Sequence, residues 1–143
     1  MDLRPIIDGY TVAPQLQPED MKALAAHGVS TVICNRPDAE IPAPLQAAAM
    51  QAAAEAAGLN FVFNPVVGGA LTEANVEEQA DAIAASEGPV VAYCASGNRS
   101  TVVWAFGAAG EVPVTQIMEA AAKYGYPFEG LRPHLEAIAA KRG

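Results

Sequence analysis

Strand-like and helix-like patterns alternate along most of this 143-residue sequence. The strand-like segments are short runs rich in β-branched residues, and amphipathic or alanine-rich segments separate them. The predicted strands span residues 10–14, 29–35, 59–67 and 88–94, and the predicted helices span 17–28, 45–58, 73–86 (capped by Thr72), 101–109, 113–124 and 129–141. This order predicts one α/β domain over residues 1–143, with a mostly parallel central sheet flanked by helices on both faces.

Composition and charge exclude several classes of protein. Apolar residues make up 52% of the chain and charged residues 17%, which argues against disorder. The net charge of −8 argues against a general nucleic-acid or anionic-membrane binder, because either needs a basic face. The two cysteines form no disulfide framework and no zinc-binding spacing, no apolar run has membrane-spanning length, and the first ten residues lack a signal-peptide pattern. We therefore expect a cytoplasmic protein without metal, cofactor, nucleic-acid partner or membrane.

Two polar loops follow strands at the edge of the sheet where ligands bind in such folds. One is the segment NRPDAE at 35–40, and the other is CASGNRS at 94–100. Arg36 and Asp38 of the first loop are expected to pair with each other and to form the rim of a pocket, with Arg36 near the substrate. Asp38, or alternatively Glu40, is a candidate general acid.

The second loop has the features of an anion-binding site with a nucleophile. It opens a helix, so the backbone N–H groups of Ala95, Ser96, Gly97 and Asn98 can converge on an anion. Gly97 permits a tight turn, and Arg99 adds a planar fork of donors beside Cys94, which favours the thiolate. The Ser100 hydroxyl is expected either to point toward the sulfur or to cap the following helix. Cys94, Arg99 and Ser100 are the predicted catalytic residues, and the four residues between Cys94 and Arg99 are the predicted substrate-binding residues.

The loop resembles the active loops of cysteine-dependent phosphatases and of rhodanese-type sulfurtransferases. Together with the preceding QPEDMKALAAHGVSTVICNRPDAE and a strand followed by Asn-Pro, it is similar to the phosphatase-like domain of beta-lactamase-hydrolase-like proteins over about residues 9–110. This resemblance implies a dual-specificity-phosphatase-like fold. It also implies a partner, because in some members the domain is fused to, or encoded beside, a metallo-beta-lactamase-fold persulfide dioxygenase.

The reaction is less constrained than the fold. Four residues separate Cys94 from Arg99, whereas the phosphatase signature has five, and the missing residue removes one N–H donor and up to about 3.5 Å of chain. Tyr93 stands where phosphatases usually have histidine, and the segment FNPVVGGAL lacks the expected acid. These departures favour a rhodanese-like sulfurtransferase that moves sulfane sulfur from a persulfide or thiosulfate to a thiol through a Cys94 persulfide. However, Ala95 replaces an arginine common in sulfurtransferases, which disfavours thiosulfate as the donor.

Two alternatives to sulfur transfer remain open. One is a protein-tyrosine or dual-specificity-like phosphatase that forms a phosphocysteine at Cys94. The other is a binding module that keeps the anion loop without catalysis. Cys34 is expected to be a small core residue, with a resolving thiol for Cys94 as the alternative. Aromatic residues near the carboxyl terminus are expected to pack in the core or to form a pocket wall: Tyr124, Tyr126 and Phe128.

Overall fold

A five-stranded sheet forms the centre of the protein in the computed structural model, which describes residues 1–142. Its strand order is β1-β2-β5-β3-β4, with β1 antiparallel to β2 and the other neighbours parallel. The strands are β1 (Arg4–Ile7), β2 (Tyr10–Ala13), β3 (Thr31–Cys34), β4 (Asn60–Phe63) and β5 (Val90–Tyr93). All residues of β3 and β5 are buried, as expected for apolar strands covered on both faces.

Helices cover both faces of the sheet. They are α1 (Asp20–Ala26), α2 (Ala47–Ala56), α3 (Glu73–Ala85), α4 (Asn98–Ala108), α5 (Val114–Lys123) and α6 (Arg132–Arg142). Short 3-10 turns lie at Asp38–Glu40, Ala43–Leu45 and Glu129–Leu131. Met21 and Met50 anchor α1 and α2 in one core layer. Trp104, Ile117 and Leu135 anchor α4, α5 and α6 in the other. The predicted α/β class, the mostly parallel sheet and its covering on both faces are confirmed.

Two elements differ from the sequence prediction in ways that matter for the site. Strand β1 was not predicted; it pairs with β2 through a hairpin at Asp8 and Gly9, where Gly9 has φ 88°. An Asp-Gly pair between apolar runs is a strong hairpin signal, and it was present in the sequence. The predicted helix start at 101 is also wrong, because α4 begins at Asn98 and so includes Arg99 in its first turn.

The remaining elements follow the prediction with shorter bounds. Thr72 caps α3 through its side chain, which accepts a hydrogen bond from the Asn75 N–H at 3.0 Å. Strand β4 ends at Phe63, well before the predicted residue 67. Within residues 1–142, none of the helices is both long and apolar enough to cross a bilayer.

Candidate active site

Cys94 follows β5 directly and lies under the amino end of α4. Its side chain is buried, and its Sγ accepts a hydrogen bond from the Gly97 N–H at 3.1 Å. Gly97 is the residue before α4 and has φ 93°, a conformation that a side chain disfavours. A Cβ at this position would also collide with the Tyr126 hydroxyl. The loop geometry that brings an N–H to the Cys94 sulfur therefore requires glycine at 97.

Arg4 of β1 and Tyr126 hold the loop after Cys94 in place at Ser96. The Tyr126 hydroxyl donates to the Ser96 carbonyl at 2.9 Å, and Arg4 Nη1 donates to the same carbonyl at 3.2 Å and to the Tyr126 oxygen at 2.9 Å. The Ser96 Oγ accepts from the Asn98 N–H at 3.3 Å, and Ala95 is exposed. Tyr126 therefore packs in the core, as expected, and also supports the loop through its hydroxyl group. The sequence did not predict this second role.

Arg99 is braced by a carboxylate from the other edge loop. Its Nη1 and Nη2 donate to the two carboxylate oxygens of Glu40, each at 2.7 Å, and Nη1 also donates to the Val66 carbonyl at 2.9 Å. Within residues 1–142, the hydrogen bonds of Arg99 to oxygen leave its Nε–H and one hydrogen of Nη2 unused, and the guanidinium lies close enough to the Cys94 side chain to interact with it. Glu40 therefore fixes Arg99 while leaving two of its donors for an anion.

The electrostatics of this pair favour a bracing role for Glu40. The Arg99 guanidinium hydrogen-bonds Glu40 and holds the pKa of that carboxyl below its usual value. The same hydrogen bond, with a further contribution from the nearby Cys94, raises the pKa of Arg99. A general acid needs a proton at the working pH, and a lowered pKa works against that, so the geometry fits Glu40 as a brace for Arg99 better than as the general acid.

The predicted pairing of Arg36 with Asp38 is wrong. Arg36 Nε lies 3.4 Å from Glu40 Oε1, and its Nη1 donates to Gln15 Oε1 at 3.2 Å. Asp38 Oδ1 instead accepts the N–H of Ala47 at 2.8 Å, because the first N–H groups of α2 have no partner inside the helix. Arg36 therefore supports Glu40 at the rim, and Asp38 stabilises the start of α2.

Ser100 is a member of a buried amide network and is not a helix cap. It lies in the first turn of α4, and its Oγ donates to Asn35 Oδ1 at 2.9 Å. Gln79 donates from Nε2 to Asn35 Oδ1 at 3.2 Å and to the Tyr10 hydroxyl at 3.0 Å, and the Tyr10 hydroxyl donates to the Ser100 carbonyl at 2.7 Å. The Asn64 amide donates to Gln79 Oε1 at 2.9 Å.

This network connects three strand ends and α3 to the first turn of α4. All of its side chains are buried, and the hydrogen bonds assign one orientation to each amide. The sequence carried a signal for it, because Gln79 occupies an apolar-face position of α3, three residues after Val76 and four before Ile83.

Cys34 lies on the neighbouring strand, opposite Tyr93 in the register between β3 and β5. It is buried, its Sγ contacts the Arg36 carbonyl at 3.4 Å, and burial raises the pKa of its thiol. Burial likewise raises the pKa of Tyr93. Both cysteines are free, and Cys34 packs with Tyr93 in the core layer of α1 and α2. Its surroundings are those of a core residue.

Relatives with the same sequence pattern occur among bacterial proteins. A family model described as "Beta-lactamase hydrolase-like protein, phosphatase-like domain" matches residues 2–111. The beta-lactamase hydrolase-like protein of Agrobacterium fabrum is 36% identical over 104 residues, which are 73% of this chain and 24% of that protein. The corresponding protein of Xylella fastidiosa strain Temecula1 is 35% identical over 105 residues, with the same two coverages. The chain therefore spans about a quarter of the length of these relatives.

Solved structures show the same fold. A Neisseria meningitidis protein named as a "putative phosphatase" has a TM-score of 0.82 and 32% identity, covering 96% of this chain and 99% of its own. A cysteine-to-serine variant of P. aeruginosa TpbA in complex with pTyr has a TM-score of 0.68 and 14% identity, covering 98% of this chain and 89% of its own. The family match and the shared phosphatase fold lead to one assignment: this chain belongs to the family of the phosphatase-like domain of beta-lactamase hydrolase-like proteins.

Proposed function

We propose that the protein is a phosphatase-like enzyme in which Cys94 is the nucleophile and phosphate monoesters are the substrates. The observation that carries this proposal is the placement of Cys94 Sγ against the Gly97 N–H, close to the Arg99 guanidinium in the first turn of α4. The family and the phosphatases of the same fold support it. The same findings favour this reaction over the sulfurtransferase that the sequence favoured.

The reaction would proceed in two displacements. The Cys94 thiolate attacks phosphorus and the bond from phosphorus to the leaving oxygen breaks, while Arg99 stabilises the charge on the other phosphoryl oxygens. Water then attacks the phosphocysteine, which releases phosphate and restores the thiolate. Glu40 pairs with Arg99, which lowers the pKa of its carboxyl, and Asp38 accepts the Ala47 N–H, so the leaving oxygen would take its proton from water. Good leaving groups such as phenols are therefore the favoured class of substrate.

Sulfur transfer is the second candidate, and one feature of the loop favours it. The loop has four residues between Cys94 and Arg99 and packs closely enough to bury Cys94 completely. A single sulfur atom on Cys94 needs less room there than a phosphoryl group, and exchange between thiols needs no general acid. A metallo-beta-lactamase-fold persulfide dioxygenase as partner belongs to this second candidate.

The two reactions can be compared in one set of assays on the complete chain. We expect phosphate release from an aryl phosphate to exceed sulfur transfer from glutathione persulfide to a thiol. Cys94→Ser should abolish phosphate release, whereas Cys34→Ala should retain it, because Cys34 lies in the core. Sulfur transfer in the absence of phosphate release would select the second candidate. Undiminished turnover by Cys94→Ser would contradict both.

A further inference from the structure

An apolar groove adjoins the loop that carries Cys94 and Arg99. It lies between the segment after β4, the outer side of α4 and the turn that precedes α6, and it encloses about 470 Å³. Val67 in its wall is 55% exposed, which is unusual for a large apolar side chain in this protein. Six apolar residues form most of the wall: Val67, Leu71, Val102, Phe106, Pro127 and Leu131.

The charge of this groove is concentrated at one end. Of the residues that line it within the described part of the chain, Arg99 is the single charged residue, and Asn98 lies beside it. The Val66 carbonyl accepts from Arg99 Nη1 at 2.9 Å, so the groove wall is joined directly to the guanidinium. Glu40 pairs with this guanidinium from outside the groove, so an anion at this end would be bound by the donors that Arg99 does not use for Glu40 and Val66.

A neighbouring groove has a different character. It encloses about 520 Å³, shares Leu71 and Phe106 with the first, and carries two carboxylates and one cation: Glu73, Glu77 and Arg142. Of these two grooves, the one that reaches the Cys94 loop is therefore the one whose lining has a cation and no carboxylate.

We infer that the groove beside Arg99 binds the organic part of the substrate, and that the substrate is a small anion with an aromatic body. This inference rests on the proposed function and specifies its substrate class. A volume of 470 Å³ is in the range of small-molecule sites, and a cavity of about 150 Å³ already accepts a benzene ring. The reaction without a general acid favours phenolic leaving groups, so the shape of the groove and the chemistry of the loop indicate the same class.

Two phosphonates that differ only in their organic part test this inference. Phenylphosphonate and methylphosphonate, neither of which can be hydrolysed, are titrated into the complete wild-type chain and followed by NMR. Both should shift the Gly97 amide, and phenylphosphonate alone should shift the methyl groups of Val102 and Leu131. Phenylphosphonate should bind at least about tenfold more tightly, because its ring leaves water.

Substitutions in the two grooves supply matched controls. Val102→Phe and Leu131→Phe, which reduce the space of the groove, should weaken phenylphosphonate at least about fivefold and leave methylphosphonate unchanged. Ile138→Phe makes a similar change in the neighbouring groove and should alter neither affinity. Thermal unfolding of each variant confirms that it folds.

The outcomes separate this inference from the proposed function. Equal affinities for the two phosphonates, with a Gly97 shift and no shift at Val102 or Leu131, would overturn the groove assignment alone. Methyl shifts in the groove without a Gly97 shift would also overturn it, because the ring would then bind independently of the loop. No response to either phosphonate would contradict phosphate binding at the loop and overturn both.

Discussion

At the scale of single residues, Glu40 determines how Arg99 can act. A free arginine samples many rotamers, and each hydrogen bond that it makes to a bound anion then costs conformational entropy. The bidentate pair with Glu40 fixes the guanidinium beforehand, beside Cys94, and its Nε–H and one Nη2–H make no hydrogen bond to oxygen within residues 1–142. Glu40 is therefore a positioning residue that acts through Arg99.

Glu40→Gln tests this role through kinetics. An amide offers one acceptor oxygen in place of two and carries no charge, so Arg99 should lose its fixed orientation. We expect kcat/KM for an aryl phosphate to fall about tenfold, or about 1.4 kcal/mol in transition-state binding. Glu136→Gln is the matched control, since Glu136 pairs with Arg132 at 2.9 Å on the surface, far along the chain from the loop. Equal activity of both variants would contradict the positioning role.

The same pair predicts a dependence of stability on pH. The pKa of Glu40 is lower in the folded protein than in the unfolded chain, where it is about 4.3. Its contribution is therefore complete above about pH 4.3 and disappears as the pH falls through the folded-state value. The difference in unfolding free energy between wild type and Glu40→Gln should be about 1 kcal/mol or less at neutral pH, because the pair is partly exposed. A difference that grows on acidification would contradict this.

At the scale of elements, the turn from β5 into α4 depends on the backbone of Gly97. Its φ of 93° and the Tyr126 hydroxyl beside it exclude a side chain for two separate reasons. Gly58, which follows the C-cap residue of α2, has φ 84° but open space around it, so it shares only the first reason. The two glycines therefore separate the strain of the backbone from the contact with Tyr126.

Gly97→Ala and Gly58→Ala should both destabilise the protein by about 1–2 kcal/mol through their positive φ. Gly97→Ala should be destabilised more than Gly58→Ala, because its Cβ also collides with the Tyr126 hydroxyl. Gly97→Ala alone should lose activity, because the backbone must shift to avoid this collision and the shift displaces the N–H that contacts Cys94 Sγ. Denaturant unfolding and aryl phosphate turnover measure the two effects. Full activity of a folded Gly97→Ala would show that the tight turn is dispensable.

At the scale of the whole molecule, the buried amide network connects the ends of three strands and α3 to the first turn of α4, next to the site. Replacing Gln79 with leucine removes the acceptor of one buried N–H of Asn35 and of one buried N–H of Asn64, while the other N–H of each amide keeps its backbone acceptor. Each unsatisfied group costs about 1–3 kcal/mol, so Gln79→Leu should destabilise the protein by about 3 kcal/mol or more. Gln51→Leu, on the exposed side of α2, should change stability by about 0.5 kcal/mol or less. Denaturant unfolding compares them, and similar stabilities would contradict the network's role.

The sequence predicted the fold better than the contacts at the site. Periodicity located every parallel strand and the loop from Cys94 to Ser100, because the local pattern of apolar residues determines these features. The partner of Arg99 could not be predicted, since Glu40 lies fifty-nine positions away and its approach depends on how β3 and β5 pair. Asp38 was considered as an acid or a rim residue; its hydrogen bond to the N–H of Ala47, at the start of α2, depends on how the intervening turn folds and has no signal in the sequence.

The most direct test of the account is the identity of the group that Cys94 carries during turnover. A reaction of the wild type with an aryl phosphate is quenched in acid, and the masses of the intact protein and of its peptides are measured by mass spectrometry. We predict a phosphoryl group on the peptide that contains Cys94, present in Cys34→Ala and absent in Cys94→Ser. Phosphate released with no adduct at Cys94, or an adduct at Cys34, would contradict the central claim that Cys94 is the nucleophile.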